Sequence, residues 1–172
     1  SRNFRNNNTG LPKPLRRRGL KTRKMNNSTK DINQLQQDAV NLLKELIATP
    51  SFSKEEEQTA GILGRFLGER DIVHTRVGNN VFALNKHYDA AKPSILLNSH
   101  HDTVKPNKGY TFDPFTPFEK DGKLFGLGSN DAGGCLVSLI ATFLYYYDKQ
   151  DTKYNVVFAA SAEEEISGVN GI

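Results

Sequence analysis

The chain has 172 residues, 37% of them hydrophobic, which is enough for one domain with a buried core. No stretch approaches the roughly 20 consecutive apolar residues that cross a bilayer, so we expect no membrane partner and a cytoplasmic location. The single cysteine excludes an internal disulfide. The formal net charge is +4, but the charges are unevenly distributed along the chain.

The basic residues are concentrated in residues 1–24. This segment holds nine of the 23 Lys and Arg and none of the 19 Asp and Glu, which leaves 14 basic residues against 19 acidic ones in the rest of the chain. We predict a disordered basic head outside the domain, which begins near Met25, because so polar a segment cannot bury enough apolar area to order itself. An alternative is a non-catalytic nucleic-acid-binding protein that uses this head. Phe4 is its only aromatic residue for base stacking, so we expect no nucleic-acid partner.

Two helices are predicted before any strand. Apolar residues recur at steps of three and four from residue 31 to residue 48, which is typical of one buried helical stripe. Ser53 and Glu56 match a capping box and would open a second helix. The inner face of that helix would carry Ala60, Leu63, Phe66 and Leu67.

Strand patterns then alternate with a third helix. Residues 72–77 and 81–85 flank Gly78-Asn79 and predict either a hairpin or two sequential strands, and a short hairpin is predicted around Asp121-Gly122. The apolar runs at 94–98 and 155–160 predict strands buried in a sheet, the first of them on both faces. Between them, Ser129 or Asn130 would cap a third helix, in which the single cysteine is expected to be buried. This order predicts an α/β fold, a layered sheet with helices on both faces.

Three short segments carry side chains that bind divalent metals, and two of them follow predicted strands. They are Ser99-His100-His101-Asp102, Ser129-Asn130-Asp131 and Glu163-Glu164-Glu165. A neutral imidazole at His100 is a good zinc ligand, and Asp102, two residues further along an extended segment, would point the same way and orient the ring. His101 would point the other way, so we expect that it is not a ligand.

The acidic residues of the other two segments allow more than one interpretation. Asp131 could be a helix N-terminal acid that interacts with the dipole, or a carboxylate shared by two cations. The glycines around it fit neither the dinucleotide fingerprint nor a P-loop. Three adjacent glutamates are usually a solvated patch, but these terminate an apolar strand, where crowded carboxylates favour a cation. One of them could bind metal while its neighbour takes a proton from water.

In this order the three segments resemble the zinc-dependent amidohydrolase and exopeptidase family that includes acetylornithine deacetylase, succinyl-diaminopimelate desuccinylase, aminoacylase and carboxypeptidase G. The resemblance covers residues 31–172, and the sequence around His100 and Asp131 is most similar to that of acetylornithine deacetylase-like members. It implies a zinc-exopeptidase-like catalytic domain with two divalent metal ions, zinc being favoured and cobalt the alternative.

The resemblance also implies a role for each site residue. His100 would bind one metal with support from Asp102, Asp131 would bridge both metals, and Glu165 would bind the other. Glu164 would be the general base, and Glu163 receives no role. The peptide bond between Asp131 and Ala132 is expected to be cis.

The function implied by the resemblance is hydrolysis of the amide bond of an N-acyl amino acid. N-acetylornithine, in arginine biosynthesis, is the favoured substrate, and a dipeptidase or aminopeptidase of the same fold is the alternative. The family needs a further acidic ligand, a late His and a lid or dimerisation domain, which residues 25–172 lack. We therefore expect residues 25–172 to be the N-terminal part of the catalytic domain of a longer enzyme. This part would be inactive alone, and the full-length enzyme would be a homodimer.

Overall fold

A computed structural model describes residues 31–171, so the predicted head at 1–24 and the domain start near Met25 lie outside the described residues. Three helices and six strands form the described part. The helices are α1 (Ile32–Ile47), α2 (Glu57–Gly68) and α3 (Cys135–Tyr146). The strands are β1 (His74–Val77), β2 (Asn80–Leu84), β3 (Ser94–His100), β4 (Phe118–Lys120), β5 (Lys123–Phe125) and β6 (Asn155–Ser161). These elements confirm the predicted α/β class and the hairpin at Asp121-Gly122, and of the two alternatives for the first strand pair the structure has the hairpin.

The main sheet brings the ends of two distant strands together. Its order is β1-β2-β6-β3, and β6 runs parallel to β3 but antiparallel to β2. Parallel pairing places His100, the last residue of β3, opposite Ser161, the last residue of β6. The segments that follow these two strands therefore leave the sheet at the same edge, where ligands bind in α/β folds.

The core lies between the helices and the main sheet. The apolar stripe of α1 is buried as predicted from Leu35 to Ile47, whereas Ile32 at its start is 67% exposed. Asp31 caps the helix by accepting a hydrogen bond from the backbone N of Asn33 at 3.0 Å. Helix α3 packs against α1, β3 and β6, while α2 packs against β1 and β2. The rings of Phe143 on α3 and Phe158 on β6 lie 5.8 Å apart between centroids, and both side chains are fully buried. This packing fixes the helix that follows Asp131 against the strands that precede the other site segments.

Three local predictions were wrong. Helix α2 has no side-chain cap, because Ser53 and Glu56 turn to partners elsewhere in the chain. Residues 94–98 do form a strand, but within residues 31–171 it lies at a sheet edge, where Ile95 is 46% and Leu96 54% exposed. An apolar run cannot distinguish an edge strand from a central one, since neither periodicity nor composition reports which strands pair. Cys135, expected to be buried, is exposed at the start of α3.

None of the helices between residues 31 and 171 combines the length and the hydropathy needed to cross a membrane.

Packing of α3 on the sheet should dominate stability. Leu136 on α3 is fully buried, whereas Leu84 at the end of β2 is 43% exposed. We expect Leu136→Ala to lower the free energy of unfolding by about 2–5 kcal/mol, because the substitution leaves a cavity in the core. The same chemical change at Leu84 should cost less than about 1 kcal/mol. Urea unfolding followed by circular dichroism compares the two, and equal losses would contradict this description of the core.

Candidate metal centre

Three of the predicted residues meet at the edge of the sheet. His100 ends β3, and Glu165 lies in a 3-10 turn (Glu164–Ile166) just after β6. Asp131 lies in a kinked, non-helical part of the turn Ser129–Gly134 that leads into α3. One ligand atom from each of these side chains lies within 4.8 Å of the other two. The residues converge because β3 and β6 are parallel neighbours and α3 packs on both strands.

The distances within the cluster suit a shared cation. His100 Nε2 lies 3.2 Å from Asp131 Oδ1, the other ligand expected on the same ion. Glu164 Oε2, expected to act as the base and not as a ligand, lies 3.6 Å from the same nitrogen. Two ligand atoms bound tetrahedrally to one zinc ion would lie about 3.4 Å apart, given bond lengths of roughly 2.1 Å. One imidazole and several carboxylates form a donor set that fits zinc and other divalent transition metals. The described residues can therefore hold a divalent metal.

Within residues 31–171, the exposed side of the cluster is the side of its carboxylates. The side chain of His100 is 9% exposed, whereas those of Glu164 and Asp131 are 59% and 79% exposed. Metal and substrate would therefore approach from the carboxylate side, with the imidazole as the inner wall.

Asp102 orients the ring of His100 from behind. Nδ1 of His100 lies 3.1 Å from the carbonyl oxygen of Asp102 and 3.3 Å from its Oδ1. Two acceptors at Nδ1 favour a proton on that nitrogen and leave Nε2 facing Asp131, as a metal ligand requires. Without metal, the hydrogen bond to the Asp102 carboxylate is the main cause that raises the pKa of His100 to about 9; burial opposes it.

The Asp102 carboxylate also holds the backbone that presents the glutamates. Its Oδ1 accepts from the backbone N of Glu164 and its Oδ2 from that of Glu165, each at 3.1 Å. Ser53 Oγ donates a third hydrogen bond to Oδ2 at 2.7 Å. Burial alone would raise the pKa of Asp102, but the hydrogen bonds from His100, from the Ser53 hydroxyl and from the two N–H groups hold it at about 2. One buried carboxylate thus positions both halves of the cluster.

Glu165 is crowded by other carboxylates, and a cation would reduce the repulsion between them. Burial is the main cause that raises the pKa of Glu165, and the charges of Asp131, Asp102 and Glu164 raise it further while His100 opposes them. Crowded carboxylates bind a proton or a metal ion more readily than separated ones do.

His101 and Glu163 lie outside the cluster. His101 is buried, with Nε2 donating to the carbonyl oxygen of Asn79 at 2.9 Å and Nδ1 2.9 Å from Thr59 Oγ1, and burial lowers its pKa. Its ring points away from Asp131, as extended backbone predicted. Glu163 is also buried and accepts from Asn170 Nδ2 at 2.9 Å.

Two residues that support the site were missed by sequence reasoning. Ser53 contacts Asp102, and Glu56 accepts a hydrogen bond from the backbone N of Glu163 at 3.1 Å. The only sequence feature that marks Ser53 and Glu56 is their spacing of three residues, and this spacing predicts a helix cap and not a contact with the site. A contact across 107 residues leaves no periodic pattern in the chain.

An open groove of about 310 Å³ adjoins the cluster. Its walls are Thr103, Val104, Tyr110, residues 126–131 and Glu165. Gly128 has φ +73°, and a Cβ there would lie 2.7 Å from Thr103 Cγ2, so a side chain at 128 would collide with the wall. The peptide bond between Asp131 and Ala132, on the same turn, is cis as expected.

Comparisons with known proteins agree with this fold. Residues 96–172 match the model described as peptidase family M20/M25/M40. The N-fatty-acyl-amino acid synthase/hydrolase PM20D1 of Bos taurus is 29% identical over 138 residues, 73% of this chain and 27% of that protein. A succinyl-diaminopimelate desuccinylase of Beijerinckia indica is 25% identical over 146 residues, 80% of this chain and 38% of that protein. The chain therefore spans about a third of the length of such relatives.

A solved structure supports the same architecture. The Bacillus subtilis YXEP protein, described as a dinuclear metal binding peptidase from the M20 family, superposes with a TM-score of 0.58 at 20% identity. The superposition covers 81% of this chain and 38% of that one. The fold recognised from three sequence segments is confirmed; the roles of the individual site residues stay predictions.

The dependence of the cluster on Asp102 can be tested by metal binding. Asp102→Asn would place an amide N–H₂ against the backbone N–H groups of the Glu164–Glu165 turn or against His100. We expect affinity for Zn²⁺ to fall by about 10–100-fold, the usual cost of disturbing the partner of a metal-binding His. Isothermal titration calorimetry with Zn²⁺ measures this, with Asp151→Asn at an exposed position as the matched control. Unchanged affinity in Asp102→Asn would contradict the orienting role.

Proposed function

We propose that the complete protein containing residues 96–172, which match the model of peptidase family M20/M25/M40, is a metal-dependent hydrolase that cleaves the amide bond of an N-acyl amino acid. The observation that carries this proposal is the convergence of His100, Asp131 and Glu165 within 4.8 Å, with the Glu164 carboxylate beside them.

The site would hold two divalent ions. His100 and Glu165 would each bind one, and Asp131 would bridge both; zinc is our first choice and cobalt the alternative. Support comes from the donor chemistry and from the Bacillus subtilis neighbour of the same fold, which is described as dinuclear. When bound, the metal would supply Lewis-acid polarisation of the scissile carbonyl and of the attacking water.

Glu164 is the residue that we propose as general base. It lies on the same turn as Glu165, but its side chain is 59% exposed and faces the open side of the cluster. There it can take a proton from the water whose oxygen attacks the acyl carbon. As the carbon–nitrogen bond breaks, Glu164 passes that proton to the departing amine, and the products are a carboxylic acid and a free amine.

The substrate class rests on two relatives and on the groove. The two relatives are named for a fatty-acyl amino acid and a succinylated diamino acid, which are both N-acylated amino acids. The groove that ends at Asp131 and Glu165 offers space for one part of such a substrate. We propose N-acetylornithine, and with it a role in arginine biosynthesis, as the first candidate. A cytoplasmic location and a homodimer of the complete protein stay predictions.

The role of Glu164 has a direct test in the complete protein. We expect Glu164→Gln to lower kcat at least about 100-fold, since it removes the base, while Zn²⁺ is still bound. Hydrolysis is followed by amine release, and metal content by atomic absorption. Glu69→Gln, at an exposed position on the C-terminal side of α2, is the matched control. Activity within twofold of the unsubstituted protein would reject Glu164 as the base.

The substrate class can be tested separately. We expect kcat/KM for the best of N-acetylornithine, succinyl-diaminopimelate and a long-chain N-acyl amino acid to exceed that for an unmodified dipeptide by at least about tenfold. The reason is that the N-terminal ammonium of a dipeptide would lie near the two metal ions and be repelled by them, whereas an acyl group without an ammonium would not. Preference for the dipeptide would replace our proposal with the dipeptidase alternative.

A further inference from the structure

Glu56 is a fully buried carboxylate whose hydrogen-bond partners are all neutral. Its Oε1 accepts from the backbone N of Lys54 at 2.8 Å and from that of Glu163 at 3.1 Å. Its Oε2 accepts from Asn79 Nδ2 at 2.8 Å. Within residues 31–171 no Lys or Arg forms an ion pair with it.

Such a carboxylate is a costly way to stabilise a loop. Moving an ionised group into the interior without a paired cation is unfavourable unless hydrogen bonds replace the lost water. An apolar side chain would fill the same volume without this desolvation cost. The contribution of Glu56 therefore lies in its hydrogen bonds, and their partners indicate what it positions.

The partner nearest to the cluster is Glu163, where the chain turns away from the sheet. Glu163 adopts the left-handed conformation, with φ 56° and ψ 22°. The next two backbone N–H groups, those of Glu164 and Glu165, bind the two oxygens of Asp102. Three consecutive N–H groups after β6 are therefore held by two buried carboxylates, the first by Glu56.

The segment that carries Glu56 also contacts Asp102. Ser53 Oγ donates to Asp102 Oδ2 at 2.7 Å, and the carbonyl oxygen of Ser51 accepts from the backbone N of Thr103 at 2.8 Å. Residues 51–56 thus bind the end of β3 on one side and the turn after β6 on the other. They set the distance between His100 at the end of β3 and the Glu164–Glu165 turn after β6.

We infer that Glu56 is a positioning residue that places the carboxylates of Glu164 and Glu165 relative to His100 and Asp131. Its effect on turnover rests on the proposed function, whereas its effect on the turn and on metal affinity does not.

Glu56→Gln is the first variant, tested in the complete protein. It keeps the shape of the side chain but puts amide hydrogens against Asn79 Nδ2 or against the backbone N of Glu163, so at least one hydrogen bond is lost. We expect amide hydrogen exchange in a peptide covering residues 161–168 to become at least tenfold faster. Affinity for Co²⁺, read from its visible absorption, should fall at least fivefold, and kcat should fall more than KM rises. Glu57→Gln, the same change at the exposed neighbouring residue, should alter none of these.

A second variant separates positioning from charge. Asn79 Nδ2 faces Glu56, and Asn79 Oδ1 accepts from Arg76 at 2.8 Å. Adding Asn79→Asp to Glu56→Gln reverses this hydrogen bond, because the amide of residue 56 would then donate to the carboxylate of residue 79. The negative charge moves from residue 56 to residue 79, next to Arg76. We expect the pair to restore exchange, Co²⁺ affinity and kcat to within threefold of the unsubstituted protein.

A third variant excludes a merely structural effect. Leu63→Ala removes a fully buried side chain of α2, the helix that follows Glu56, and should lower Tm at least as much as Glu56→Gln does. Below both transitions it should leave Co²⁺ affinity and local exchange unchanged. Our inference is overturned if Leu63→Ala reproduces the losses of Glu56→Gln, or if Glu56→Gln changes neither exchange nor affinity. A protein that hydrolyses none of the substrates would refute the proposed function, and exchange and Co²⁺ affinity would then decide the role of Glu56.

Discussion

The site depends on the hydrogen bonds around the buried carboxylate of Asp102. This group is fully buried, and the protein itself fills its acceptor positions. It does so with the ring of His100, the hydroxyl of Ser53 and two backbone N–H groups of the turn after β6. These donors come from three separate segments, and they can meet only if β3 and β6 are paired in register. The same contacts that compensate the burial of one charge therefore fix the geometry of the metal ligands.

Much of this arrangement could be predicted because it follows local rules. Alternation along an extended strand placed Asp102 on the side of His100 and His101 on the other, and the structure agrees. Apolar periodicity located the helices and the strands that end at the site. The register of the glutamates could not be derived this way, since Glu163, Glu164 and Glu165 are chemically identical. Only the left-handed turn at Glu163 shows that the first side chain is buried while the next two face the cluster.

What sequence reasoning missed was long-range pairing. The polar quartet from Ser53 to Glu56 matches a helix cap, but both side chains have partners at least 23 residues away. The tertiary contacts form because leaving the buried carboxylate of Asp102 without the Ser53 hydrogen bond would cost more free energy than leaving an exposed helix end to water. The edge position of β3 has the same origin: β6 comes later in the chain but inserts between β2 and β3. Neither outcome changes the local pattern from which helices and strands are recognised.

The charges of the cluster explain why it would bind metal rather than remain a hydrogen-bonded network. One imidazole faces the carboxylates of Asp102, Asp131, Glu164 and Glu165, which leaves an excess of negative charge at a partly buried edge. Without a cation, a proton on His100 relieves part of that excess, and its raised pKa reflects this. Two divalent ions would neutralise four carboxylates with His100 unprotonated, whereas one would leave two negative charges uncompensated. The acidity of the cluster thus gives the proposal of two ions an electrostatic argument that does not depend on any relative.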